Sequence, residues 1–422
     1  MREPLPHVTP FLRLGGREWY LPDALRAFNH RNYRLYWFGQ LISLTGTWMQ
    51  STAQQWLVYR LTGSPLALGT VMFMNSLPAM LLSLFAGVVV DRVDKRRFLI
   101  GLQLGMLTLA LALAALTAAG QVQYGHVLAL TTLLGLVNTF DMPARQAFTI
   151  EMVGKDDLMN AIALNSSMFN GARLVGPAVA GLLVAQVGEA AAFFFNGLSF
   201  LAVIAGLALM RLPPFTPRPG RLRPLADLKE GLGYITRHRS VLALVLVAAV
   251  PSLFGFPATT LLPVMARDVL GLGADGYGLL VSFIGLGALV GALSLTALGN
   301  YRPKGRLLTA AMFVFAGGLA GAALSRVVPL SLAALAFTGW GMIHHLATTN
   351  TLLQLNVPDE LRGRVMSAYL WAVVGMAPAG SLLFGTLAEW WGAPNTLLAG
   401  AITCALSAAA AFVAFPQLRR LT

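Results

Sequence analysis

Hydrophobic residues in this chain come in long runs separated by short polar joints. A helix needs about 20 apolar residues to cross the hydrocarbon core of a bilayer. Runs of that order fall at 32–59, 65–90, 97–119, 125–147, 160–187, 190–211, 240–266, 276–299, 306–324, 328–355, 363–387 and 394–416. The pattern predicts an all-α membrane protein with twelve transmembrane helices. The first run is unusually polar and the seventh contains proline, so these two are the least regular of the set.

The longest interior joint, 212–239, is rich in proline and arginine and divides the chain six runs to six. This predicts an N-terminal tail (1–31), a six-helix bundle (32–211), a linker (212–239), a second six-helix bundle (240–416) and a short tail (417–422). The halves also echo each other. Leu61-Thr-Gly-Ser-Pro-Leu-Ala-Leu-Gly69 returns as Leu270-Gly-Leu-Gly-Ala-Asp-Gly-Tyr-Gly278, and the stretch from Asp157 to Gly176-Pro177 resembles that from Pro358-Asp359-Glu360 to Pro378. A repeat of six-span halves implies two pseudo-symmetric bundles with a site between them at the membrane midplane.

Composition agrees. Hydrophobic residues make up 56% and charged residues 11% of the chain, against about 25% charged in soluble proteins, so a set of soluble domains is excluded. The net charge of +13 would suggest nucleic acid in a soluble protein, but here the charge sits in the joints, and no nucleic-acid partner is expected. Twenty-six of the 30 Lys and Arg fall on the side of the two termini, three (Arg60, Arg267, Arg326) on the other, and Arg173 inside a run. Short basic joints stay cytoplasmic, which places both termini of a multi-pass membrane protein inside. The first thirty residues lack the form of a cleavable signal. A single cysteine, Cys404, excludes an intramolecular disulfide. With no phosphate-cradling Gly-Lys-Ser/Thr loop, no metal cluster and no nucleophile and base at recognisable spacing, neither ATP hydrolysis nor any other enzyme activity is expected, and no cofactor or metal.

Several polar residues stand where they are costly. Asp91 closes the second run, and an anion there can accept hydrogen bonds from the N-terminus of a helix in the other half, latching the two; the competing reading makes the surrounding charges simple topology determinants. Asp141 is the carboxylate best placed for proton coupling, with Arg145 one turn away to neutralise it. Arg173, the one basic residue well inside a run, needs a partner: an anionic substrate, Asp141, or backbone carbonyls. Ser43, Thr47, Gln50 and Gln54 share a helical face that must meet protein or water rather than lipid. His344 and His345 point about 100° apart, so one at most faces a cavity; His344, aligned with Trp340 and Thr348, is the candidate protonation site. The stretch from Phe11 to Phe28 has the amphipathic mix of an inner-leaflet segment, or is a disordered tail.

The loop Gly87-Val-Val-Val-Asp91-Arg92-Val-Asp94-Lys95-Arg96-Arg97 resembles the G-x-x-x-D-R-x-G-R-R/K signature of the major facilitator superfamily, with Asp94 in place of glycine. Phe140-Asp-Met-Pro-Ala-Arg145, Ala172-Arg-Leu-Val-Gly-Pro177 and Val357-Pro-Asp-Glu-Leu-Arg-Gly-Arg364 are similar to its drug- and siderophore-export branch, which includes macrolide efflux proteins and the enterobactin exporter. The resemblance, which covers 29–415, implies the major facilitator fold. It implies a gating latch of Asp91, Arg92, Lys95 and Asp141, with Asp91 meeting the start of the eleventh span and Lys95 bridging Asp91 to Asp141. It implies a cavity lined by the first, fourth, seventh and tenth spans, hence by Ser43, Thr47, Gln50, Gln54, Asn138, Phe254, Phe256, Trp340, His344 and Thr348. Gly171, Gly176, Pro177 and Gly181 match its fifth-span antiporter motif, where small residues pack closely and proline bends the helix. The implied function is secondary active export of a bulky amphiphilic small molecule by alternating access, with proton antiport through Asp141 or His344, by a monomer in contact with the lipids of a bacterial cytoplasmic (inner) membrane. The rival readings are a lysophospholipid or other lipid transporter of the same fold, and a receptor or scaffold that no longer transports.

Overall fold

The computed structural model describes residues 12–14, 17–19, 22–212, 224–297 and 303–416. A short hairpin, β1 (Leu12–Leu14) with β2 (Arg17–Trp19), precedes an otherwise helical chain. The first half holds α1 (Arg31–Thr62), α2 (Pro65–Arg92), α3 (Lys95–Ala118), α4 (Tyr124–Val153), α5 (Leu158–Val187) and α6 (Glu189–Ala208). A helix inside the linker, α7 (Pro224–Arg237), leads to the second half: α8 (Arg239–Phe254), α9 (Leu262–Val264), α10 (Ala274–Ala297), α11 (Lys304–Leu324), α12 (Val328–Asn356), α13 (Asp359–Leu370), α14 (Ala377–Trp391) and α15 (Ala393–Ala414).

These make twelve crossings. Eleven segments among the described residues are long and apolar enough to span a bilayer. The twelfth is α1, long enough at 32 residues but too polar to qualify by hydropathy. The seventh span, Arg239–Val269, and the eleventh, Asp359–Trp391, are composite. Proline removes a backbone donor and kinks a helix, and α8 gives way after Pro251 to a 3-10 turn at Phe256–Leu261, then α9, then a π-helical turn at Met265–Val269. In the eleventh span a π-turn at Trp371–Gly375 precedes Pro378.

Local chemistry sets the joints. Gly63 stops α1 in the left-handed region at φ 62, with its N–H on the Tyr59 carbonyl. Ser64 then caps α2, its hydroxyl accepting from Ala67 N at 3.2 Å, with Pro65 in the first turn. Asp94, which replaces the signature's glycine, sits at φ −63 and needs no glycine; its carboxylate caps α3 by accepting from Arg97 N at 3.1 Å. At the other end of the sequence pattern, the stretch before α1 docks on protein. Ala27 is fully buried, its N–H donates to Asn160 Oδ1 at 2.8 Å, and Arg26 and His30 hold Asp157 at 2.6 and 2.7 Å. Asp157 lies in the joint before α5. Burial pushes its carboxyl up, but the hydrogen bonds from His30 and Arg26 prevail and hold it below the usual carboxylate range.

The halves touch along two seams, α2 against α14 and α5 against α10. Both seams are closed by facing glycines. A Cβ on Gly69 would lie 2.4 Å from the Ser381 carbonyl, and one on Gly385 3.1 Å from Gly69 Cα; a Cβ on Gly278 would lie 2.4 Å from the Pro177 carbonyl and 2.9 Å from Gly181 Cα. Gly69 and Gly278 are equivalent positions of the internal echo, so the two seams are copies of one packing solution. Both lie toward the face opposite the chain termini, called here the far face. A buried apolar cluster fills that face from both sides, with Leu57, Leu68 and Val71 from one half and Leu261, Phe384 and Leu397 from the other. At the terminal face the cores are separate, one around Phe148 and Leu207 and one around Leu244 and Leu352.

Candidate functional site

Hydrogen bonds follow the same asymmetry. Tyr59 at the far end of α1 donates to the Asp268 carboxylate in the seventh span, and Arg267 covers the Tyr59 ring at 4.0 Å. Glu389, at the far end of α14, accepts from the Ser64 hydroxyl at 2.9 Å and from Leu66 N at 3.2 Å. It thus places an anion on the N-terminus of α2, where the helix macrodipole favours one. Trp56 stacks on Tyr277 at 5.9 Å across the same face. At the terminal face Asp91 is exposed and holds no hydrogen bond or ion pair with any described residue. Among the described residues, the two halves are therefore sealed at one face and share no such hydrogen bonds at the other.

At mid-depth, α5 and α12 meet across the gap. The Arg173 guanidinium lies 3.7 Å from Met342 Sδ and 5.8 Å from the centre of the Trp48 ring of α1. No described acid pairs with it. Met342 also borders a small apolar cavity inside the second half, lined by Phe256, Met265, Ile284, Phe315 and Leu335 with Thr259, Ser331 and Thr338 as polar exceptions.

The remaining sequence-derived candidates sort by what they touch. Phe256 lines that cavity and packs edge-on against Phe315 at 5.6 Å, whereas Phe254 turns toward the far-face cluster. Thr47 donates to its own helix at the Ser43 carbonyl, and Asn138 is half-buried in α4. Ser43, Gln50 and Gln54, placed at the cavity by the shared helical face, are buried instead. Gln50 accepts from Asn196 of α6 at 2.7 Å, and Gly46 on the same face would put a Cβ 2.6 Å from Asn196 Oδ1, so this stripe joins α1 to α6 inside one half. The tenth-span candidates meet the same correction. His344 is 0% exposed; its Nε2 and the Trp340 indole N–H both reach Ser294 Oγ of α10, at 2.8 and 3.0 Å, and the two rings stack at 4.0 Å. Thr348 is buried beside them. In this conformation His344 and Thr348 are packed between helices, whereas Trp340 keeps part of its surface exposed. His345 is buried as well, 6.4 Å from Phe256.

The charged loop is also rearranged from expectation. Lys95 pairs with Glu151 at 2.8 Å and does not bridge to Asp141. Glu151 and Lys95 both lie at the terminal face, while Asp141 is ten residues, about 15 Å of helix, deeper along α4. Asp141 instead pairs with Arg145 at 2.5 Å and accepts from Gln103 at 3.0 Å, and Arg145 also donates to Gln40. Arg92 is exposed next to Asp91. Of the helix-bend residues, Gly176 fits α5 against Trp48 of α1, Gly181 and Pro177 fit it against α10, and Gly171 meets nothing within 4 Å. Sequence reasoning passed over Gln40, Trp48, Gln103, Asn196, Met342 and Glu389; apart from the helix-terminal acid Glu389, none carries a signal without its neighbours.

A twelve-span bundle of two halves sealed at one face is the architecture of solved membrane transporters. The chain matches a bacterial homologue of the human lysosomal transporter Spinster, in its inward-facing and unoccupied conformation, with a TM-score of 0.73, 12% identity and coverage of 93% of this chain and 99% of that one. It matches the nucleoside transporter NupG with a TM-score of 0.69, 11% identity and coverage of 91% and 99%. The chain thus has the fold of a class of multi-pass membrane transporters. Within that class, residues 23–421 match the model of the transmembrane secretion effector family, and the chain belongs to it. Relatives include the staphyloferrin A transporter of Staphylococcus aureus, 27% identical over 83% of this chain and 88% of that one. The multidrug efflux pump Tap of Mycolicibacterium fortuitum is 27% identical over 91% and 95%, and macrolide efflux protein A of Streptococcus pyogenes 24% over 81% and 86%.

Proposed function

We propose that this chain exports a bulky amphiphilic small molecule from the cytoplasm by alternating access, in exchange for protons. The observation that carries the reading is the one-sided seal: Glu389 and the Tyr59–Asp268 contact hold the far face shut while Asp91 stands free at the other. With the terminal face cytoplasmic, as its basic joints dictate, this is the loading state, open to solute from within. Rocking the halves would release Glu389 from α2 and bring Asp91 onto the start of α13, whose first turn offers unpaired N–H groups. The relatives named for efflux of macrolides, of multiple drugs and for staphyloferrin A transport support the class of cargo.

For the proton, Asp141 is the carboxylate at mid-depth among the described residues, and its ion pair with Arg145 gives protonation a mechanical consequence. A neutral Asp141 releases Arg145, and Arg145 remains tied to Gln40 of α1. The test is accumulation of a compound panel in everted membrane vesicles, with the pH gradient intact and collapsed. Gradient-dependent uptake that falls at least tenfold in Asp141→Asn, with solute binding retained, is expected. Uptake indifferent to the gradient removes the proton from the cycle, and no uptake of any compound removes export.

A further inference from the structure

Charge at the midplane is out of balance. Among the described residues the charged side chains at that depth are Asp141, Arg145 and Arg173, and the first two neutralise each other. Arg173 is left as a net cation in the middle of the membrane, where a bare charge is costly. Its neighbours are the thioether of Met342 and the face of Trp48, neither of which supplies a negative charge. A guanidinium is planar and weakly hydrated, the group best suited to a two-point grip on a carboxylate or phosphate in a partly desolvated setting.

The surroundings extend that grip into a two-part site. Met342 is both the contact of Arg173 and part of an apolar wall in the second half that continues through Phe256, Phe315, Ile284, Leu280 and Leu335, with no charged side chain among them. A ligand anchored at Arg173 can therefore lay an apolar body against Met342 and the Trp48 ring. Arg173 belongs to one half and Met342 to the other, so a ligand touching both spans the gap that rocking must close.

We propose that the cargo is an amphiphilic anion, with its carboxylate or phosphate held by Arg173 and its apolar body against Met342 and Trp48. This rests on the export reading above but specifies what that reading leaves open, since an exporter of cations or neutral compounds needs no free arginine at its midplane. Positive charge on the cargo is disfavoured by the same arginine.

The test uses three probes of one shape: pyrenebutyrate, pyrenebutyramide and pyrenebutylamine. Each is titrated into the full chain in lipid nanodiscs, with binding read by energy transfer from tryptophan and empty nanodiscs as the blank. The proposal expects the carboxylate to bind at least tenfold more tightly than the amide and the amine. It expects Arg173→Gln to erase that preference while changing amide affinity less than twofold, and Arg173→Lys to retain part of it. A monodisperse elution profile for each variant guards against misfolding, and Arg173→Lys carries the test if Arg173→Gln fails to fold. Equal binding of the three probes, tighter binding of the amine, no binding of any, or a preference for anion that survives Arg173→Gln overturns the proposal. Transport of the same probes into everted vesicles separates the two readings. Uptake of amide or amine but not carboxylate leaves export standing and removes the anionic cargo, whereas carboxylate binding without uptake of any probe leaves the site and removes export. Displacement of pyrenebutyrate by lysophosphatidate at a tenth of the concentration needed of a soluble aryl carboxylate identifies the source of the anion as membrane lipid; the reverse order identifies a soluble metabolite or drug.

Discussion

Single residues carry two kinds of work here, joining helices and holding charge. Gln50 joins α1 to α6 through Asn196, so Gln50→Ala should lower thermal stability by about 1–3 kcal/mol, the cost of stranding a buried amide, with solute affinity unchanged; a differential unfolding scan and a binding titration on one preparation check both. Asp157 offers a pH reading. Its carboxyl is held low by His30 and Arg26, so its contribution to anchoring residues 22–30 is complete above the unfolded carboxylate value of about 3.9 and fades as pH falls through the lower folded value. Limited proteolysis at Arg26 should stay flat from pH 8 to about 5 and rise only in stronger acid, and Asp157→Asn should expose the site at every pH. Why Gln50 looked like a cavity residue is plain in physical terms. A polar face on a membrane helix announces that it avoids lipid, but solvent and a neighbouring helix satisfy that need equally, and only Asn196, 146 positions away, decides. Asp141 with Arg145, four residues apart, was legible for the opposite reason: its partner is local.

At the scale of helices, the proposed alternating access asks rods of this length to come apart and rejoin, and the seams suit that demand. Gly69 on Gly385 and Gly278 on Gly181 bring backbones together with no side chain between them, leaving smooth surfaces along which helices separate without unlocking interdigitated chains. Glu389 then acts as the catch on one seam. Glu389→Gln should weaken its hold on the α2 terminus by about 1 kcal/mol, shifting the population with the far face open about fivefold. The measurement is labelling of a cysteine placed at Leu68, 1% exposed in the sealed face, by a membrane-impermeant thiol reagent, with the fully buried Cys404 as a silent background. Asp91→Asn should move the same signal the other way. The internal echo made this symmetry visible in outline, since Gly69 and Gly278 stand 209 positions apart; which glycine faces which was not, because helix pairing across halves leaves no mark in either run alone.

For the molecule as a whole, run length and charge placement imply twelve crossings and a six-plus-six division, and eleven described segments together with α1 supply helices for the crossings. The breaks in the seventh and eleventh spans are less legible, because proline marks a weak point without saying how the chain resumes. What the runs conceal altogether is depth of packing: that the apolar cluster from Leu57 to Leu397 seals one face across both halves while the other parts into two separate cores. Phe384→Ala, a buried ring in that cluster, should cost about 3–5 kcal/mol of packing and admit protons, read as faster dissipation of an imposed pH gradient in proteoliposomes than the parent allows. A plug built from leucine, valine and phenylalanine offers water no foothold, and dewetted constrictions stop ions as well as bulk flow. Under the proposed cycle such a plug would let the membrane keep its voltage while solute loads from the terminal face, so that cargo is carried rather than leaked.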